Sequence, residues 1–179
     1  IDPGSLRAVN AGDSVRLDTV RHEIVFRAAP NANGIRQLAF TVSDGQSNAA
    51  TQNLNINLRP VNDAPVVKAV GFQMLEDAGH NNPTKTDWSY LSHALLLSGA
   101  TDPDGDILSV VAVGGGRTSS GLVVEVFNDV AYSRIGIKAP QNYNGAIELA
   151  FTVQDSKGAT TTQKTYGMWF PAVEIGTTV

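Results

Sequence analysis

The chain has 179 residues, 42% of them apolar and only 17% charged, with 13 Lys+Arg against 17 Asp+Glu for a formal net charge of −4. That balance excludes intrinsic disorder and a coiled coil, and the scattered basic residues leave no face for nucleic acid. No apolar run is longer than four residues, as at Ala94–Leu97, so membrane insertion through a helix of ~20 apolar residues is not expected.

Cysteine is absent, which removes a disulfide framework, a thiolate metal site and a Cys nucleophile, and fits a bacterial or an intracellular product. Ile1-Asp2-Pro3-Gly4-Ser5 reads as a cut edge, so the chain is expected to be a fragment, and the lack of a leader says nothing. Strands come next. Leu38, Phe40 and Val42 alternate with Gln37, Ala39 and Thr41, and Leu54, Ile56 and Leu58 alternate with asparagines, which predicts strands with one face on a core. Further strands are predicted at Val66–Val70, Ile107–Val113, Leu122–Phe127, Arg134–Lys138, Ile147–Gln154 and Lys164–Phe170. Between them Trp88, Leu91 and Leu95 stand at helical spacing, with Asp87 as N-cap and Gly99 as stop, predicting a short helix over the end of the second unit. The fold class expected is all-β, with Greek-key sandwich units in tandem.

The units repeat. Asn33-Gly34-Ile35-Arg36-Gln37-Leu38-Ala39-Phe40-Thr41-Val42-Ser43-Asp44 reads onto Asn144-Gly145-Ala146-Ile147-Glu148-Leu149-Ala150-Phe151-Thr152-Val153-Gln154-Asp155 at an offset of 111 positions. Ile24–Ala28 matches Ile135–Ala139 at the same offset, after which one residue slips to align Pro30 with Pro140. A period this long marks a string of domains rather than a solenoid. The organisation expected is a partial, truncated unit at 1–60, a linker at 61–65 and a complete domain at 66–179, with about seven strands between Val61 and Glu174.

Asp102-Pro103-Asp104-Gly105-Asp106 sets three carboxylates in five residues, whose mutual repulsion a hard cation with oxygen ligands would relieve. Neither an EF-hand nor an RTX nonapeptide fits, because Ile107 and Val113 occupy the EF-hand's Gly and Glu positions and Gly114-Gly115-Gly116 lacks the following Asp. The bland reading is a solvated acidic turn. Val61-Asn62-Asp63-Ala64-Pro65-Val66 adds oxygens at the boundary, and Leu75-Glu76-Asp77 adds another carboxylate pair.

Taken together, VNDAPV, LEDAG, TDPDGD, P-x-N-Y-N-G and FTVQDSKGAT resemble the bacterial cadherin-like tandem repeat of very large surface and biofilm adhesins, RTX-type proteins often exported by type I secretion. The resemblance covers Val61 to about Gly167, and its back half recurs in Ala29–Pro65. It implies a calcium site at the domain junction built from Asn62, Asp63, Asp102 and Asp104, with Asp106 as an additional donor. Glu76 would serve a junction at its domain's far end. There Phe170-Pro171-Ala172-Val173-Glu174 lacks Asn-Asp-x-Pro, so either this copy is terminal or a different module follows. Asp44 is the nearest acidic partner that the first unit offers, with turn closure beside Gly45 as its ordinary role. The function implied is a non-enzymatic, calcium-stabilised extender or adhesion segment, secreted and extracellular, at the bacterial cell surface, with neighbouring domains of the same chain as partners.

Enzymatic chemistry has no nominee: His22, His80 and His93 fall at no ligand spacing, and no nucleophile elbow, phosphate loop or His-Glu-x-x-His occurs. Asn82-Pro83-Thr84 is blocked as a glycosylation site by its proline. The rival reading is a module that binds carbohydrate or a surface peptide. Its candidates are Trp88 and Tyr90 in the Asn81–Leu97 excursion, with Tyr132, Tyr143, Tyr166 and Trp169 as further rings if several share a face.

Overall fold

The computed structural model describes residues 1, 3–42, 44, 46, 51–75 and 88–171. Internal contacts divide the chain into two compact units, Ile1–Val61 and Asn62–Val179. Glu76, Asp77, His80 and Asp87 lie outside the described residues.

The second unit is a two-sheet sandwich. One sheet places β6 (Gly71–Leu75), β12 (Thr160–Phe170), β11 (Gly145–Gln154) and β8 (Ser109–Thr118) side by side; the other places β7 (Ser89–Ser92), β10 (Arg134–Lys138) and β9 (Glu125–Asp129). All pairings are antiparallel except β6 on β12. Period-two alternation sorts β11 without exception: Ile147, Leu149, Phe151 and Val153 are fully buried, and the residues between them are half-exposed. These four meet Ile135, Ile137 and Leu91 from the facing sheet, closing one core. Phe72 and Trp169 complete it at the β6 edge, packing edge-to-face at 5.6 Å.

The expected helix is corrected. Trp88–Leu91 does not coil; β7 runs from Ser89 to Ser92, and α1 covers only His93–Leu96, capped by Ser92, whose Oγ accepts from the Leu95 amide at 3.3 Å. Ser89-Tyr90-Leu91-Ser92 fits period two as well as period three to four, and the free edge of β10 selects the strand, with Leu91 turned inward. The strand expected at Val66–Val70 is likewise displaced: that stretch forms a single bridge, Val66 to Thr101, and pairing begins at Gly71. Similarly, Leu122–Phe127 becomes a strand only from Glu125, after a bridge between Arg117 and Val123.

Among its described residues the first unit has five strands: β1 (Arg7–Ala8), β2 (Ser14–Asp18), β3 (Glu23–Arg27), β4 (Gly34–Thr41) and β5 (Thr51–Leu58), paired as β1-β4-β5 and β2-β3. The 111 offset survives in the hydrogen-bond registers. Leu38 faces Leu54 as Leu149 faces Thr165, and Ser14 faces Arg27 as Glu125 faces Lys138. Because the offset holds on both sides of the intervening turn, no residue slips, and the counterpart of Pro140 is Ala29 rather than Pro30. Leu38 and Ala39 are buried. Leu54, expected on a core face, is 48% exposed.

Candidate metal centre

The acidic residues sit at the end of the second unit where its chain enters. Gly105 adopts φ +77°, and its amide donates to the Asp102 carbonyl at 3.2 Å, which folds Asp102–Asp106 into a tight turn. Inside the turn, Asp102 Oδ1 accepts from the amides of Asp104 (2.9 Å) and Asp106 (3.2 Å). One oxygen from each of Asp102, Asp104 and Asp106 lies within 4.8 Å of the others.

Two contacts seat the entering segment, one on this turn and one on the turn between β11 and β12. The Asp63 amide donates to Asp104 Oδ2 at 2.8 Å, and Asn62 Nδ2 donates to Asp155 Oδ2 at 2.7 Å. Pro65, buried, accepts from Thr161 Oγ1 at 2.6 Å and pins the segment behind them. The structure therefore gathers Asn62, Asp63, Asp102, Asp104 and Asp106 at one end of one unit.

Asp155 is the residue that the sequence analysis left out of the site. It is only 4% exposed, at the turn between β11 and β12. Burial pushes its pKa up, but the Asn62 amide and the backbone amides of Lys157, Ala159 and Gly158 outweigh it, holding the carboxyl below its ordinary range. Its signal was present: Asp155 closes the FTV-x-Asp repeat whose first copy ends at Asp44. Asp44 itself is exposed and accepts from the Gln46 amide at 2.9 Å, a turn closure.

The donor set fits a calcium ion on one specific observation. Asp102 Oδ2 is buried and has no hydrogen-bond partner. A carboxylate oxygen shut from water without a donor is costly, and a cation bound by oxygens is the group that satisfies it. Calcium takes six to eight oxygens at about 2.3–2.6 Å, and every side chain gathered here can offer one. Asp106 has both carboxylate oxygens engaged, with Ser156 Oγ donating to Oδ1 at 2.8 Å and Lys157 Nζ donating to Oδ2 at 3.3 Å.

Five of the six aromatic candidates separate into two groups, and Tyr166, exposed on β12, belongs to neither. Trp169 is a core residue, and Tyr143 is tied at the turn before β11, donating to the Ala146 carbonyl at 2.6 Å. Trp88, Tyr90 and Tyr132 gather on the outer face of the β7-β10-β9 sheet, joined by Phe127, which had not been a candidate. Trp88 meets Phe127 edge-to-face at 4.7 Å, and the Arg134 guanidinium stands 3.7 Å from the Tyr90 ring and 4.8 Å from the Tyr132 ring. Among the histidines, His93 is buried, with Nε2 2.7 Å from Asn128 Oδ1, while His22 is exposed on a turn.

Residues 61–167 match the family described as cadherin-like domain. No curated protein matches the chain. Among solved structures, human mucin-like protocadherin EC1-2 aligns with 93% of this chain and 84% of its own at 15% identity and a TM-score of 0.42. The human desmocollin-1 ectodomain aligns with 94% of this chain at 12% identity and a TM-score of 0.43. A nucleoside hydrolase-related hypothetical protein from Saccharophagus degradans aligns with 62% of this chain at 16% identity and a TM-score of 0.38. The chain spans about a quarter of the length of that last protein and a third of the desmocollin chain.

Proposed function

Because the chain belongs to the cadherin-like domain family, we propose that it is a non-enzymatic adhesion segment whose second unit is stiffened by calcium where the chain enters it. Asn62, Asp63, Asp102 and Asp104 hold the ion, Asp106 shares its charge between the ion and Lys157, and Asp155 keeps the Asn62 side chain in place. The observation that carries this reading is the buried, donorless Asp102 Oδ2 among three converging carboxylates. The chemistry supplied by the ion is charge neutralisation: without it the carboxylates repel and the entering segment is held by its hydrogen bonds alone; with it one cation ties segment and turn together.

The wider setting proposed is a large extracellular adhesin of a bacterial surface or biofilm, of the RTX type, supported by the motif set and the absence of cysteine. Cadherin-like domains work outside the cell, and no helix among the described residues is long and apolar enough to cross a membrane. Glu76 is proposed as a ligand of a separate junction.

The test is thermal unfolding in chelator against 10 mM calcium. Extracellular calcium modules bind with dissociation constants of about 10⁻⁴–10⁻³ M, so 10 mM adds roughly 1.4–2.7 kcal/mol, or about 5–10 °C for a unit of this size. Asp102→Asn and Asp104→Asn remove most of that rise. A melting temperature indifferent to calcium reduces Asp102–Asp106 to a solvated turn.

A second reading, carbohydrate binding, is favoured by one arrangement: the rings of Trp88, Tyr90, Phe127 and Tyr132 around Arg134 on a single sheet face, with Tyr132 72% exposed. Sugar rings stack on exposed aromatic faces while a planar Arg–Asp pair, here Arg134 Nε to Asp129 Oδ2 at 2.9 Å, hydrogen-bonds their hydroxyls. Tyr132→Ala and Tyr90→Ala are expected to abolish binding on a glycan array and leave the melting temperature nearly unchanged. Retained binding in both variants refutes the reading.

A further inference from the structure

Arg134 narrows the class of sugar that the outer face of the β7-β10-β9 sheet would take, an inference that rests on the carbohydrate reading. On that face Tyr90 and Phe127 both stand opposite Gly136, and Asp129 stands opposite Arg134 one row along. With no Cβ at Gly136, the Phe127 ring fills the space over it and packs edge-to-face with Trp88 and Tyr90. Those rings are engaged with one another, whereas Tyr132, 72% exposed, keeps an open face.

The Arg134 guanidinium is restrained in both of the ways that set its direction. The rings of Tyr90 and Tyr132, 3.7 and 4.8 Å from its Cζ, lie against its plane, and the bond from Nε to Asp129 Oδ2 at 2.9 Å limits its rotation within that plane. That bond is the one hydrogen bond of its side chain among the described residues, so Nη1 and Nη2 have no protein acceptor there. The side chain is 34% exposed. Its end-on pair of amino groups is therefore oriented, unspent and open to solvent.

We infer that the ligand is an acidic sugar: its carboxylate takes the Nη1–Nη2 edge of Arg134 in two parallel bonds, and its ring stacks on Tyr132. A carboxylate offers two oxygens matched to that edge and carries the opposite charge, and such charge-assisted bonds are roughly twice as strong as those a pair of hydroxyls would make. A lysine would supply the charge without the fork or the stacking. Asp129 leaves this preference intact, because it occupies Nε and not the end-on edge; its part is to position the guanidinium.

The test measures binding of the full chain to an array of oligosaccharides bearing uronates, sialates or sulfate esters, each beside its carboxyl-reduced or desulfated twin. Carboxylate-bearing members are expected to bind about tenfold or more tightly than their reduced twins. Arg134→Lys, which keeps the charge and loses the fork, is expected to remove most of that preference with the circular-dichroism spectrum unchanged. Asp129→Asn, which keeps an acceptor for Nε and drops a negative charge, is expected to retain it. Equal binding of acidic and reduced twins, or a preference unchanged in Arg134→Lys, overturns this inference and leaves the carbohydrate reading standing. A loss in Asp129→Asn as large as in Arg134→Lys shows that the pair reads hydroxyls and overturns it as well. Preference for sulfate esters over carboxylates overturns the assignment to a carboxylate. No binding to any member overturns the carbohydrate reading and this inference together.

Discussion

Asp13 and Arg36 form a charged pair inside the first unit, and its removal tests how far the two units are interchangeable. The Asp13 side chain is fully buried, Arg36 is 20% exposed, and Arg36 Nε stands 3.9 Å from Asp13 Oδ2, too far for a hydrogen bond. At the 111 offset their counterparts are Val124 and Ile147, both buried in the apolar core. At 3.9 Å and an effective dielectric of about 20, attraction is worth roughly 4 kcal/mol, while desolvation costs several kcal/mol for each ion. The pair therefore contributes little net, but half of it is costly: Arg36→Ile leaves a buried carboxylate alone and is expected to destabilise the unit by about 3–5 kcal/mol.

The compensating change includes a third position. Asp13 Oδ1 accepts from the Ala29 amide at 2.8 Å, and the counterpart of Ala29 is Pro140, which has no amide hydrogen to satisfy. Asp13→Val with Arg36→Ile alone orphans the Ala29 amide at about 1–3 kcal/mol; adding Ala29→Pro removes the donor. The triple variant is expected to range from neutral to about 4 kcal/mol more stable. Both tryptophans and all four tyrosines belong to the second unit, so tryptophan fluorescence in urea serves as the internal control and is expected not to move. Hydrogen exchange of the β4 and β5 amides reads the first unit. A triple variant less stable than Arg36→Ile, or an Arg36→Ile cost below about 1 kcal/mol, refutes the reasoning.

Asp155 links stability to acid. Its folded pKa lies below the ordinary 3.8, so the stabilisation is complete above that value and is lost as the pH falls through the folded one. Asp155→Asn is expected to flatten the acid limb of a stability–pH curve below about pH 4, and Asn62→Ala to flatten it in part; a wild-type limb in Asp155→Asn refutes the assignment. At Gly136 an added Cβ would meet the Phe127 ring at 2.0 Å, so Gly136→Ala is expected to cost about 1–3 kcal/mol and to disturb the Trp88–Phe127 contact. An unchanged urea midpoint and fluorescence spectrum would show that the ring moves freely.

Much of the architecture was legible because period-two burial is written residue by residue. Ile147–Gln154 and Lys164–Phe170 alternate buried and exposed along their length and emerged as strands, as did Arg134–Lys138, where Gly136 between Ile135 and Ile137 is buried as well. Shorter or polar stretches were not decided by their own pattern. Trp88–Ser92 fits a helix or a strand on its own, and it became a strand because β10 offered an edge. Val66–Val70 is the more apolar stretch, yet Gly71–Leu75 is the one that lies along β12. For the candidate site, the acidic turn and Asn62-Asp63 stood out as clusters of oxygen donors. Asp155 did not, because a lone aspartate before Ser-Lys-Gly reads as a turn residue until the fold sets it 2.7 Å from Asn62.

By itself the sequence determined the longer strands and the local acidic turn, since each rests on side-chain spacing within a few residues, and the 111-residue period, which rests on matching such stretches. Only the tertiary structure decided which edges are covered, that Asp155 joins Asn62 across 93 positions, and that Leu54 lies exposed where Thr165 is buried. The physical reason is the same in each case: hydrogen bonding and desolvation across a sheet edge depend on a partner strand, and no property of one strand's own residues specifies which strand will arrive there.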